Sequence, residues 1–359
     1  MTMHEGLVDQ ASKFKKRVAS ADTAAYKLVR RNQLVVGFPI DEGVLSFQDL
    51  YDEAIVSPAY DIWDLRGTHE ILPAYLERFL RSPRALAFYR TKLRGTTARR
   101  RTLPDDIFLK LSVPLPSPSE QRRITEILDK ADALRAGRWA AIAKVDTLTE
   151  SIFLDMFGDP ATNPKRWPKR NIGELLESAS YGTSEKANEV GQIPVLRMNN
   201  VTSSGEIDLS DLKYMELAED QRERYLVRAG DVLFNRTNSA ELVGKTAIYR
   251  GETPMAYAGY LIRLRVNTTN DPEYLAAFLN TKYSKRLLRG MCKSIIGMAN
   301  INATEVQSIS IPQPPLAVQR DFASRIQAVE NLKRSHRSLL IHHDLLFAAL
   351  QNRAFRGDL

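Results

Sequence analysis

Apolar residues recur at alternating three- and four-residue steps along two long stretches, the spacing of a helix with one buried stripe. The first stretch, 114–156, opens with Pro114, Pro116 and Pro118 and then runs about 38 residues with no further Pro and one Gly. Its a and d positions read Ile124, Ile127, Ala131, Leu134, Arg138, Ala141, Val145, Leu148, Ile152 and Asp155, eight of ten apolar. The second follows Pro312, Pro314 and Pro315 and reads Phe322, Arg325, Val329, Leu332, His336, Leu339, His343, Leu346, Leu350 and Arg353. There Ile326, Leu340 and Phe347 widen the stripe at the next position. The spacing predicts two long helices with coiled-coil seams, able to pair antiparallel. At about 1.5 Å per residue, 38 residues span roughly 57 Å, the reach of a spacer. His336 and His343, one heptad apart, read as polar residues filling the seam rather than metal ligands.

The stretches before the helices resemble each other. Leu28-Val29-Arg30 answers Leu226-Val227-Arg228, and Tyr60-Asp61-Ile62 answers Tyr260-Leu261-Ile262. Pro73, Tyr75 and Leu76 answer Pro272, Tyr274 and Leu275, and Pro114, Pro116, Gln121 and Arg122 answer Pro312, Pro314, Gln319 and Arg320. An offset held at 198–200 predicts two copies of one unit, each a strand-rich globular part followed by a helix. The copies are unequal: about 65 residues, 159–223, have no counterpart in the first. Four segments follow: a partial module 1–112, a helix 113–157, a complete module 158–311 and a helix 312–359.

Composition narrows the chemistry. A 43% apolar fraction over 359 residues supports packed cores and about two domains. The 51 Lys and Arg against 43 Asp and Glu give +8, a balance that favours a polyanionic partner. Cys292 is the only cysteine, which excludes a disulfide framework and a Cys-based zinc site. The first 20 residues are polar and charged, and no run of 18 apolar residues occurs, so a cytoplasmic protein without membrane association is expected. Dinucleotide, P-loop, zinc-protease and nucleophile-elbow motifs are absent, as is the Asn-Pro-Pro-aromatic motif of N6-adenine methyltransferases.

The second module instead carries four groups rich in amides and Arg: 181–186, 194–200, 230–239 running into 244–249, and 293–302. Arg and Asn match guanine and adenine edges in the major groove, while Lys, Ser and Thr suit phosphate. The candidate DNA contacts are Tyr181, Thr183, Ser184, Lys186, Arg197, Asn199, Arg236, Thr237, Asn238, Lys245, Lys293 and Asn300, with Arg99, Arg100 and Arg101 in the first module. Asn235 and Asn238 suit a turn equally well, Asp231 after Gly230 suits a hairpin, and the Arg run suits a solvated face.

In order and spacing, these groups resemble the DNA-specificity subunit of type I restriction–modification systems. The marks are Tyr181-Gly182-Thr183-Ser184, the 194–200 run, 230–238, Gly244-Lys245-Thr246-Ala247, the twin Pro-rich lead-ins, the 156–160 link and the closing 353–359 segment. The resemblance implies an α+β fold: mixed α/β target-recognition domains separated by two long antiparallel coiled-coil helices. It implies that the chain reads duplex DNA at a bipartite site and does no chemistry itself. It also implies partners: two methyltransferase subunits that carry S-adenosylmethionine, and through them an endonuclease subunit that uses ATP and Mg. No cofactor is expected in this chain. The first module departs from the pattern, lacking a counterpart to 181–200. Three alternatives stand: a remnant, a fragment completed by a second specificity polypeptide, or a subunit that self-dimerises. Two other functions stay open, a scaffold that binds the methyltransferase without reading DNA and an unrecognised nuclease.

Overall fold

The computed structural model describes residues 1, 6–13, 22–66, 70–94, 102–239, 241–295 and 298–359. They form two compact units, Met1–Trp139 with Ser338–Leu359, and Ala140–Arg337. Helices and sheets occur in both, in keeping with the α+β class.

In the first unit, Leu34–Val36 is the centre of a three-stranded antiparallel sheet between Leu45–Phe47 and Asp61–Trp63. Lys27–Arg30 pairs with Glu53–Val56 beside it. Helices Pro73–Leu80 and Pro83–Lys92 each begin with Pro, where an N–H has no intrahelical partner to lose. Their fully buried Tyr75, Phe79 and Tyr89 pack with Ile124 and Leu128 of the long helix Pro118–Asp146 and with Phe355.

The second unit carries two larger sheets. One is antiparallel, in the order Thr246–Ile248, Val232–Asn235, Leu261–Val266, Leu176–Tyr181. The other runs Leu226–Val227, Met255–Tyr257, Ile193–Leu196, Lys213–Met215, with its middle pair parallel. A small ribbon joins Thr237–Asn238, Met298–Asn300 and Lys293–Ile295. Helix Pro272–Asn280 supplies Tyr274, which is packed by Phe153, Phe157 and, through them, Phe322.

The repeat is visible atom by atom. In the first unit, the buried Gln121 amide donates to the carbonyls of Glu70 (2.7 Å) and Pro116 (2.8 Å) and accepts from the Leu72 N–H (2.8 Å). In the second, Gln319 donates to the Pro314 carbonyl (2.8 Å) and Asn270 Oδ1 (3.2 Å) and accepts from the Asp271 N–H (2.8 Å). Tyr75 donates to the Pro114 carbonyl as Tyr274 does to that of Pro312. Each Gln thus joins its Pro-rich lead-in to the start of the helix bearing the buried Tyr.

Two expectations about the helices change. The first is broken: Pro118–Asp146 ends before Leu148–Phe157, and the Thr147 hydroxyl between them donates to the Lys144 carbonyl, a local bond that competes with the helix ladder. The stripe also lies one residue later at every second position. Leu128, Ile142, Ile326 and Leu340 are buried, whereas Leu134, Leu148, Leu332, Leu339 and Leu346 are exposed. Two of the buried-side positions are cationic. Arg135 binds Asp344 (2.7 Å) and Asp132 (2.9 Å) in the first unit, and Lys333 binds Asp146 (3.1 Å) and Glu330 (3.5 Å) in the second. Long cationic stems occupy apolar space when their heads are paired. Lys333 also binds Glu206 (3.4 Å), which lies in the segment without a first-unit counterpart.

Candidate nucleic-acid interface

Strand Leu176–Tyr181 ends on an aromatic residue that is 41% exposed. The Tyr181 hydroxyl accepts from the Ala303 N–H (2.9 Å), fixing the ring by its far end. Over that ring, 4.8 Å from its centroid, lies the Arg236 guanidinium. Its Nε is buried with no hydrogen-bond partner, and no carboxylate pairs with it among the described residues. Chain direction at Arg236 is set by two backbone bonds, its N–H to the Tyr260 carbonyl and its carbonyl to the Ile301 N–H. The ribbon then brings Thr237 opposite Asn300 and Asn238 opposite Ala299.

Gly182 explains why this corner closes. A Cβ there would overlap the carbonyl oxygens of Tyr257 and Ala258. Only glycine lets the segment approach so closely, and the Thr183 N–H reaches the Tyr257 carbonyl at 2.9 Å.

Other expected contacts are distributed unevenly. Ser184, Lys186 and Asn199 are exposed, and Asn238 and Asn300 are half-buried. Thr183 and Thr237 correct the expectation of phosphate contacts, being 3% and 6% exposed. Their hydroxyls are used within the fold: Thr183 Oγ1 accepts from the Glu185 N–H, and Thr237 Oγ1 donates to Asn300 Oδ1. Arg197 is paired with Asp211 (2.8 Å), and the adjacent buried Asn200 donates to the carbonyls of Asp208 and Asp211. Lys245 donates to the Met198 carbonyl (2.9 Å), and burial lowers its pKa. Lys293 lies on the ribbon opposite Asn300. Arg99, Arg100 and Arg101 lie outside the described residues. Asp231 belongs to the fold: it accepts from the Arg228 N–H and holds Arg265 with two bonds of 2.8 and 3.0 Å.

Three residues escaped the sequence reading. Tyr260 is 53% exposed, and its own carbonyl holds Arg236. An aromatic in the turn after Gly259 was the available signal. Lys285 donates to the Gly244 carbonyl (2.5 Å) and Asn280 Oδ1 (2.8 Å). Its pKa is pushed down to about 7, first by burial and then by the cations Arg289 and Lys245. No carboxylate pairs with Lys245, Lys285 or Arg289 among the described residues. Unneutralised cations such as Lys245 and Arg289 are suited to a polyanionic partner, whereas Lys285 is only partly charged near neutral pH.

Residues 164–341 match the sequence model of the type I restriction modification DNA specificity domain. These residues are a type I restriction–modification DNA specificity domain. The chain is 24% identical over 318 residues to the type I restriction enzyme EcoKI specificity subunit of Escherichia coli (strain K12), covering 82% of this chain and 67% of that protein. It is 23% identical over 316 residues to the StySPI specificity subunit of Salmonella potsdam, again 82% and 67%. The chain therefore spans about two thirds of the length of these relatives. In fold it is similar to a chain from a solved type I R-M system, at a TM-score of 0.61 and 20% identity over 93% of this chain and 84% of that one. It is also similar to the type I S subunit of M. genitalium, at 0.55 and 14% over 91% and 83%. Among the described residues, no helix is long and apolar enough to cross a membrane, and no His, Cys, Asp and Glu group could hold a metal ion.

Proposed function

We propose that this chain is a sequence-specific duplex-DNA-binding subunit that directs an adenine methyltransferase to its target and performs no chemistry itself. One observation carries the reading. In the unit matching the specificity domain, Arg236 lies over Tyr181 beside Asn238 and Asn300, with no acidic partner for its guanidinium among the described residues. A guanidinium flattened on a ring keeps its planar donor edge oriented, the property needed for two bonds to guanine. The exposed Lys186 and Arg289 supply phosphate attraction that positions without specifying.

The reaction belongs to partners: methyltransferase subunits holding S-adenosylmethionine, and an endonuclease subunit using ATP and Mg. The target is bipartite, and half-sites about one helical turn apart, roughly 34 Å, would suit two reading modules. The second module reads one half-site. The other is read by a second specificity fragment or a second copy, since among the described residues the first unit has no counterpart of strands Leu176–Tyr181 and Ile193–Leu196. That same shortfall favours a second reading, a scaffold that binds the methyltransferase without reading DNA.

Methylation-aware sequencing of the host genome with and without this gene tests the proposal. Loss of one bipartite methyl-adenine motif supports it. An unchanged methylome, together with retained methyltransferase binding and no shift of duplex DNA by the assembled complex, favours the scaffold.

A further inference from the structure

The first unit contains a cavity of about 290 Å³ between the start of helix Pro83–Lys92 and the end of helix Leu316–Ala354. The internal repeat shows why it exists. An offset of 198 sets Gln351 against Phe153 and Phe355 against Phe157. In the second unit Phe153 is 1% exposed, stacked on Tyr274 at 5.7 Å and edge-on to Phe322 at 5.9 Å. In the first unit the equivalent side chain is an amide, and the space lies open beside it.

That amide lacks a partner. Gln351 is 7% exposed and makes no side-chain hydrogen bond among the described residues, although it lines the cavity. The other buried glutamines of the long helices, Gln121 and Gln319, make three hydrogen bonds each. A nearly buried amide with its donors unused facing a cavity is matched by a polar occupant. The remaining lining indicates the sign of its charge. Arg84 and Arg356 border the cavity, and among the described residues neither pairs with a carboxylate. Arg84 donates to the Phe355 carbonyl (3.3 Å), which holds its guanidinium at the rim. The first turn of helix Pro83–Lys92 adds the positive end of a helix dipole. Asn352 supplies a further amide at the mouth, and no acidic side chain lines the cavity.

We infer that this cavity binds a small oxyanion, the phosphate or carboxylate group of a soluble molecule, between the Gln351 amide and the Arg84 and Arg356 guanidiniums. The assignment is independent of the DNA reading, whose residues lie in the second unit.

The test is calorimetric titration of the full chain with inorganic phosphate and, separately, with citrate, at ionic strength held constant with sodium chloride. Saturable binding of one equivalent is expected, and the tighter of the two anions identifies the group. Gln351→Phe copies the second unit and fills the cavity. It should weaken binding at least tenfold with the unfolding midpoint unchanged or raised. Arg356→Ala, at an exposed position, should weaken binding at least fivefold and serves if Gln351→Phe does not fold. No saturable binding of either anion, or binding that survives either substitution, overturns the assignment.

Discussion

The Arg236 guanidinium lies 4.8 Å from the centroid of the Tyr181 ring, and the Tyr181 hydroxyl is itself held by the Ala303 N–H. The arginine is thus oriented through a chain of contacts that begins in the backbone. Arg236→Lys keeps the charge but loses the planar fork, so both it and Arg236→Ala should cost about 1–3 kcal/mol at the cognate site and little on random DNA. Asn238→Ala should do the same. Competition binding by the assembled complex measures the difference, and equal affinities for wild type and all three variants would remove these residues from the interface.

Gly182→Ala tests the corner from the other side. Its methyl group has no room beside the Tyr257 and Ala258 carbonyls, so the variant should lose stability in the second unit and DNA binding together. Normal thermal unfolding with lost binding would instead give Gly182 a direct contact.

Lys285 makes the second unit sensitive to pH. Its folded pKa is about 7 and its ordinary value 10.5. Between these values the unfolded chain holds a proton that the folded chain has released, so this group makes stability rise with pH across that window. Below about pH 7 both forms are protonated and the burial penalty is constant. Lys285→Met should flatten the rise, as urea denaturation at pH 6.5, 8 and 9.5 can measure. An identical slope in the variant would contradict the shift.

Lys333 titrates in a different range. Burial alone would lower its pKa, but Glu330, Asp146 and Glu206 together raise it above 10.5. Its stabilising effect is complete below that value and is lost as pH rises through the folded pKa. Lys333→Met should cost roughly 1–3 kcal/mol at pH 7, less than a fully enclosed pair because Asp146 keeps solvent contact. Chemical denaturation at pH 7 checks it, and a neutral outcome would mean the carboxylates rearrange freely.

Gln319→Leu should destabilise by about 1–3 kcal/mol, since it removes the partner of the half-buried Asp271 N–H and of the Pro314 carbonyl, while Asn270 Oδ1 keeps its bond from Gln313. Gln121→Leu should match it through Leu72 N–H. Denaturation midpoints of both variants test whether the two bonds are energetically as well as geometrically equivalent.

The Gln-Arg pairs were legible because prolines mark each lead-in and the glutamines stand at a fixed offset. The helix seam was only half legible. Ile127 beside Leu128, and Ala141 beside Ile142, let two registers score alike, and the deciding positions hold Arg135 and Lys333, whose carboxylate partners are distant in sequence. Composition located the amide- and Arg-rich loops but not which groups are used internally. Arg197, Thr183 and Lys245 look available until Asp211, the Glu185 N–H and the Met198 carbonyl are brought to them. Lys285 and Arg289 were missed because their helix reads as an ordinary amphipathic one.

The division of the chain into Met1–Trp139 with Ser338–Leu359, and Ala140–Arg337, fixes an order of completion during synthesis. The second unit has all its residues once Arg337 leaves the ribosome. The first, begun earliest, still lacks Phe355, whose ring closes on Tyr75 and Phe79. Its apolar face must stay uncovered while nearly two hundred further residues are made, so the module translated first is the last able to finish folding.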